Sequence, residues 1–89
     1  MSDPTTGLAP RITAMVASIT DLDPAVLTAE SRFEDIDDWS SLKALALMVE
    51  LEQELPVKLD LRPYMAVRTV GELVALVAEG LGEAAGTAG

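Results

Sequence analysis

The chain is 89 residues long, with Lys+Arg 6 against Asp+Glu 15, a formal charge of −9, 49% hydrophobic residues and only 3% aromatic ones. That composition describes one small domain, too apolar for a disordered acidic chain and too short to build an enzyme core around an enclosed active site. Cys and His are both absent, which excludes disulfides, thiol chemistry, imidazole bases and the usual zinc and haem ligand sets.

In chain order, Ser2-Asp3-Pro4-Thr5-Thr6-Gly7 reads as a turn-rich, flexible lead. Ile12, Met15, Val16 and Ile19 then fall at i, i+3, i+4 and i+7, the stripe of a helix over about Ala9–Ile19. Pro24 restricts Asp23 and ends that helix within Thr20-Asp21-Leu22-Asp23-Pro24. A long connection follows to Ser40, anchored by Leu22, Val26, Leu27, Phe33, Ile36 and Trp39, with one helical turn expected at Pro24-Ala25-Val26-Leu27. So long a loop in a compact domain is either pinned by such side chains or functional.

The strongest helix is expected over Ser41–Leu55, burying Leu42, Leu45, Met48, Val49 and Leu55 with Leu51 at the flank and Lys43, Glu50, Glu52 and Glu54 nearer water. Pro56 closes it. Val57-Lys58-Leu59-Asp60-Leu61 alternates like a strand but has no partner strand, so an extended connection is expected, with Asp60 capping a short helix through Tyr64 and Met65. Thr69-Val70-Gly71-Glu72 is a capping box that opens a last helix carrying Leu73, Val74, Leu76, Val77 and Leu81. Gly80-Leu81-Gly82 marks its decay into a tail. The expectation is all-α: a small four-helix bundle of three main helices and one short one, with a flexible lead over 1–7, the bundle over 8–81 and a flexible tail over 82–89. Phe33, Trp39 and Tyr64 are expected to supply much of its buried area.

Few residues offer chemistry. Asp35, Asp37 and Asp38 beside Glu34 lack the spacing and glycine of a calcium loop and read as solvated charge, so no metal site is assigned. No catalytic residue is assigned either, since G-x-S-x-G does not occur and no histidine is present to serve a serine as base. Lys43 follows Ser41 by two places, a spacing that does not share a helical face. Ser40 and Ser41 precede an apolar helix, and either is a suitable N-cap.

Phe33-Glu34-Asp35-Ile36, Trp39-Ser40-Ser41-Leu42, Leu51-Glu52-Gln53-Glu54-Leu55 and Tyr64 to Leu73 together make the chain resemble the acyl carrier and peptidyl carrier protein family over about Ile12 to Leu81. The resemblance implies an acyl-carrier-type bundle that performs no catalysis itself. It implies that Ser41 receives a 4'-phosphopantetheine arm from coenzyme A through a phosphopantetheinyl transferase, and that the arm's thiol holds acyl or aminoacyl groups as thioesters. Partners would then be an acyltransferase, an adenylating enzyme, a ketosynthase or other tailoring enzymes of polyketide, fatty-acid or nonribosomal peptide biosynthesis. Ser40 stands where the family normally has aspartate, which keeps a capping oxygen but removes a carboxylate.

The arrangement has its own physical logic, because a phosphodiester on a serine at a helix start lies beside unsatisfied amides and the positive end of the helix dipole. Glu50, Glu52 and Glu54 are expected to meet basic enzyme surfaces, in a salt-sensitive association. Acidity disfavours nucleic acid and anionic membranes as partners, and apolar runs such as Ala44 to Val49 are far below the roughly 20 residues of a membrane span. An opening of Met1-Ser2-Asp3-Pro4 without a basic region and apolar core gives the expectation of a discrete, monomeric, cytoplasmic protein. The competing expectation is an unmodified acidic helical module for protein interaction.

Overall fold

The stripe of Ile12, Met15, Val16 and Ile19 winds into helix α1, Pro4–Thr20, in a computed structural model that describes residues 4–87, with side chains over 7–81. Helix α2 spans Ser41–Glu54, the short α3 Leu61–Ala66, and α4 Val70–Thr87. Helix α1 packs on α2 and α4, and α3 on α4. Between them lie Ile12, Val16, Leu47, Leu51, Val70, Leu73 and Val77, all fully buried. Each such aliphatic side chain contributes about 1.5–3 kcal/mol by leaving water. Among the described residues there is no strand, and the one antiparallel bridge joins Arg32 to Thr69. Among the described residues no helix is long and apolar enough to cross a membrane.

Both long helices exceed the expected bounds. Helix α1 takes in residues 4–7 of the expected lead, and α4 runs past Gly80 and Gly82 to Thr87; residues 1–3 and 88–89 lie outside the described part of the chain. Pro24 does not end α1. The helix stops at Asp21, whose φ of 61° is left-handed, and the Leu22 amide turns back to the Ala17 carbonyl at 2.9 Å, a Schellman cap. Gly80 is not a helix stop either, since a Cβ there would sit 2.6 Å from Val57 Cγ2, so its glycine permits close packing instead.

The long connection is ordered mainly through its backbone. Asp23 caps a 3-10 turn at Pro24–Val26 by accepting from the Ala25 amide at 2.9 Å, and a second turn covers Phe33–Asp35. Three backbone hydrogen bonds stitch it to the approach to α4: the Phe33 amide donates to the Arg68 carbonyl at 3.0 Å, Val70 to Ser31 at 3.0 Å and Gly71 to Ala29 at 2.8 Å. A Cβ on Gly71 would lie 2.9 Å from the Ala29 oxygen, so only glycine lets the segments meet this closely. Of the expected anchors Phe33 is buried, Leu27, Ile36 and Trp39 pack partly against the core, and Val26 and Leu22 stay exposed.

The burial of α2 is rotated from the expected face. Ala44, Leu47, Leu51 and Leu55 enter the core, with Met48 packed at its edge. Leu42, Leu45 and Val49 remain 80%, 42% and 53% exposed. Residues 42–49 are apolar at every position except Lys43, so the period alone does not choose a face. Contact with α1 on one side does. The capping box of α4 forms with a shift: the Glu72 amide donates to Thr69 Oγ1 at 3.1 Å, while the Glu72 carboxylate takes the Arg68 amide, one residue before the cap, at 2.9 Å.

Candidate functional site

At the head of α2 the two serines have different positions. Ser40 is the N-cap, in extended backbone at φ −146° and ψ 170°, and its hydroxyl accepts from the Lys43 amide at 3.3 Å while its carbonyl takes the Ala44 amide at 2.9 Å. Ser41 is the first helical residue and is exposed, as is Leu42 after it. The hydroxyl of Ser41 therefore stands in solvent at the positive end of a helix of 14 residues. That setting suits an attached phosphodiester: negative charge is favoured there, and α2 carries no acidic residue in its first turn.

Lys43 in that first turn opposes the helix dipole, and its Nζ reaches back to Asp38 Oδ2 at 3.5 Å. Asp38, with φ of 71°, turns the chain immediately before the helix. Glu34, Asp35, Asp37 and Asp38 are all exposed, and among the described residues no group of three or more Asp or Glu side chains is arranged to hold a metal ion.

Beside the serine, Trp39 stacks on Phe33 with ring centroids 4.8 Å apart and planes at 22°. The Tyr64 hydroxyl donates to the Ala44 carbonyl, tying α3 to the first turns of α2. Burial pushes the Tyr64 phenol well above its ordinary pKa, so it stays a protonated donor. Phe33, Trp39, Ala44, Tyr64, Met65 and Val67 line a small, mostly apolar pocket of about 60 Å³ that is partly open to solvent. Sequence reading named the three aromatics as core but not this hydrogen bond, for which a lone tyrosine on a short helix was the available signal.

The three glutamates expected to form a docking face do not share one. Glu52 accepts from the Leu59 amide at 2.8 Å and holds the connection after α2. Glu54 lies 3.9 Å from the Arg11 guanidinium, which also donates to the Glu54 carbonyl at 3.2 Å. Glu50 is half-buried. What α2 shows to solvent next to Ser41 is the apolar strip of Leu42, Leu45 and Val49.

A four-helix bundle that presents an exposed serine at the first position of a capped helix, beside a small apolar pocket, defines a carrier-type domain. A family model described as the phosphopantetheine attachment site matches residues 10–77. The solution structure of the holo acyl carrier protein of Geobacter metallireducens is 32% identical, covers 86% of this chain and 88% of that one, and superposes with a TM-score of 0.75. The meromycolate extension acyl carrier proteins of Mycobacterium tuberculosis and Mycobacterium bovis are 30% identical over 66 residues, 74% of this chain. The match spans 57% of those relatives, little more than half their length. The chain belongs to the phosphopantetheine-binding carrier family, whose cofactor is covalently attached 4'-phosphopantetheine.

Proposed function

We propose that this chain is a non-catalytic acyl or aminoacyl carrier whose Ser41 hydroxyl bears the 4'-phosphopantetheine arm. The observation that carries this reading is the division between the serines: Ser40 is committed to the Lys43 amide, while Ser41 is exposed at the first position of α2. A phosphopantetheinyl transferase delivers the arm from coenzyme A, and the phosphate becomes a diester on Ser41 Oγ. The arm supplies a thiol that holds cargo as a thioester. The protein's own residues fix the point of attachment, surround the phosphate with helix-start amides and leave the chemistry to partner enzymes. Lys43, two residues on, adds positive charge to that end of the helix.

Partner enzymes of fatty-acid, polyketide or nonribosomal peptide biosynthesis, among them an acyltransferase, an adenylating enzyme or a ketosynthase, meet the carrier on the strip of Leu42, Leu45 and Val49. Its support is position, since an enzyme that reaches Ser41 also covers the residues beside it. With Glu52 holding the Leu59 amide and the exposed Glu54 beside Arg11, contact through this strip is mainly apolar and less salt-sensitive than a glutamate face would be. The cytoplasm, where coenzyme A is available, is the compartment this reading implies.

Intact-mass analysis after incubation with coenzyme A, magnesium and a broad transferase tests the assignment. The expected result is one added arm on the protein and on Ser40→Ala, and none on Ser41→Ala. An arm kept by Ser41→Ala and lost by Ser40→Ala moves the site by one residue. Failure with several competent transferases leaves the unmodified interaction module as the better reading.

A further inference from the structure

We infer that an open groove formed by the two 3-10 turns of the long connection docks a basic, amphipathic segment of a partner protein, at a place separate from the α2 strip. Leu22, Val26, Leu27 and Ile36 form the apolar part of this groove, whose volume is about 340 Å³. It shares no lining residue with the pocket beside Ser41. In the sequence Leu22 and Val26 read as anchors of the connection, yet they stay 37% and 63% exposed. They are not needed to pin it, because the backbone bonds from 29–33 to 68–71 do so. Grouped apolar side chains left in water and rimmed by charge mark a contact surface.

The rim decides the chemistry of the occupant. Glu30, Asp35 and Asp37 line the same groove and are exposed. Residues 21–38 hold seven of the 15 carboxylates and one of the 6 basic side chains, so −6 of the formal charge of −9 sits on this segment. Its one cation, Arg32, lies 3.3 Å from Glu34. Such a rim repels nucleic acid and anionic membranes and attracts a protein segment carrying Lys or Arg beside an apolar residue. A groove this open cannot bury the roughly 70–90% of surface that a small-molecule site covers. Its walls are also formed in advance: Ser31 Oγ accepts from the Thr28 amide at 2.9 Å, and the Ser31 carbonyl takes the Val70 amide at 3.0 Å. Docking therefore orders only the incoming segment. A partner enzyme held here while its active site takes up Ser41 would engage the chain at two points, which raises its effective concentration. Binding in the groove itself does not depend on Ser41 being the attachment site.

The test titrates the full chain into a fluorescein-labelled peptide, Lys-Lys-Leu-Leu-Lys-Lys, and into versions with Ser for Leu or Glu for Lys, and reads anisotropy. The leucine peptide is expected to bind, several-fold more tightly than the serine version, and the glutamate version not at all. Its affinity should fall about tenfold between about 0.1 and 1 M salt, as the screening length drops from about 10 to 3 Å. Val26→Ser should weaken the leucine peptide several-fold and leave the serine version unchanged. Asp37→Lys should weaken it about tenfold, while Glu79→Lys, the same charge change at an exposed site on α4, should cost less than about twofold. All three substitutions fall at exposed positions, and circular dichroism checks that each variant keeps its helices. Amide shifts on binding should map to residues 22–37, not 41–49. Ser41→Ala should bind the peptide as the parent does, so an arm that fails to load there overturns the carrier reading and not the groove. Equal affinity for the leucine and serine peptides, or equal losses in Asp37→Lys and Glu79→Lys, would leave only diffuse charge attraction and overturn the inference. Dimers in sedimentation velocity that Val26→Ser dissolves would give the groove to a second copy of this chain instead, and overturn the partner named here.

Discussion

Two neighbouring serines divide the work at the start of α2. Ser40 satisfies the Lys43 amide from the N-cap, and Ser41 takes the first helical position with its side chain in water. Removing the cap is expected to cost about 1 kcal/mol. Urea unfolding of Ser40→Ala should show that loss, Ser40→Asp should recover it, and Ser41→Ala should stay within about 0.5 kcal/mol of the parent. Equal losses in both alanine variants would contradict the division. Sequence alone left either serine as the cap because a cap needs only a short side-chain oxygen before an apolar helix, whereas its identity depends on which residue leaves helical φ and ψ. The end of α1 was hidden for a similar reason. Pro24 is a visible breaker, but the chain turns earlier at Asp21, and an aspartate in left-handed backbone carries no sequence mark as plain as glycine.

Helix α2 has two apolar faces and buries one. Its position along the chain was legible from Ser41 to Pro56; its rotation was not, because a run of apolar residues has a weak moment and a tertiary partner selects the side. Substitution separates the faces by measurement. Leu47→Ala, at a fully buried site, is expected to lose about 2–5 kcal/mol in urea unfolding. Leu45→Ala is expected to change stability by no more than about 0.5 kcal/mol, while slowing arm transfer or loading several-fold by raising KM. Unaltered transfer by Leu45→Ala and Leu42→Ala at low and high salt would remove the strip from the docking surface. The same rotation explains the glutamates: on a helix they point around the axis, and Glu52 and Glu54 meet a backbone amide and an arginine of their own chain.

Across the whole molecule, the loop, α3 and the head of α2 form one connected unit: backbone hydrogen bonds fasten the loop to the approach to α4, and the Tyr64 hydroxyl fastens α3 to α2. That unit holds Trp39 and Ser41 in place without a long helix beneath the loop. It also makes stability depend on alkaline pH. Burial raises the Tyr64 pKa in the folded chain above the value of about 10 that it has when unfolded. The folded state thus keeps the proton longer, so this contribution is complete below about pH 10 and is lost as pH rises from there through the folded-state pKa. Urea midpoints should fall above about pH 10, with phenolate absorbance of the single tyrosine appearing as the chain unfolds. Tyr64→Phe should flatten the alkaline fall; an unchanged fall would assign it to other groups.

Local information determined the four helices, the extended stretch from Val57 to Asp60, the cap of α4 and a serine pair before the strongest helix, because periodicity, capping oxygens and proline act over a few residues. Interactions between segments far apart in the chain decided the rest. The choice of α2 face, the stitching of Ala29, Ser31 and Phe33 to 68–71, and the Tyr64 hydrogen bond to Ala44 each join residues separated by 20 or more positions. Such contacts leave no periodic trace in a single sequence. They form only where packed helices bring an amide, a carbonyl or a phenol to its partner and exclude the water that would otherwise satisfy it.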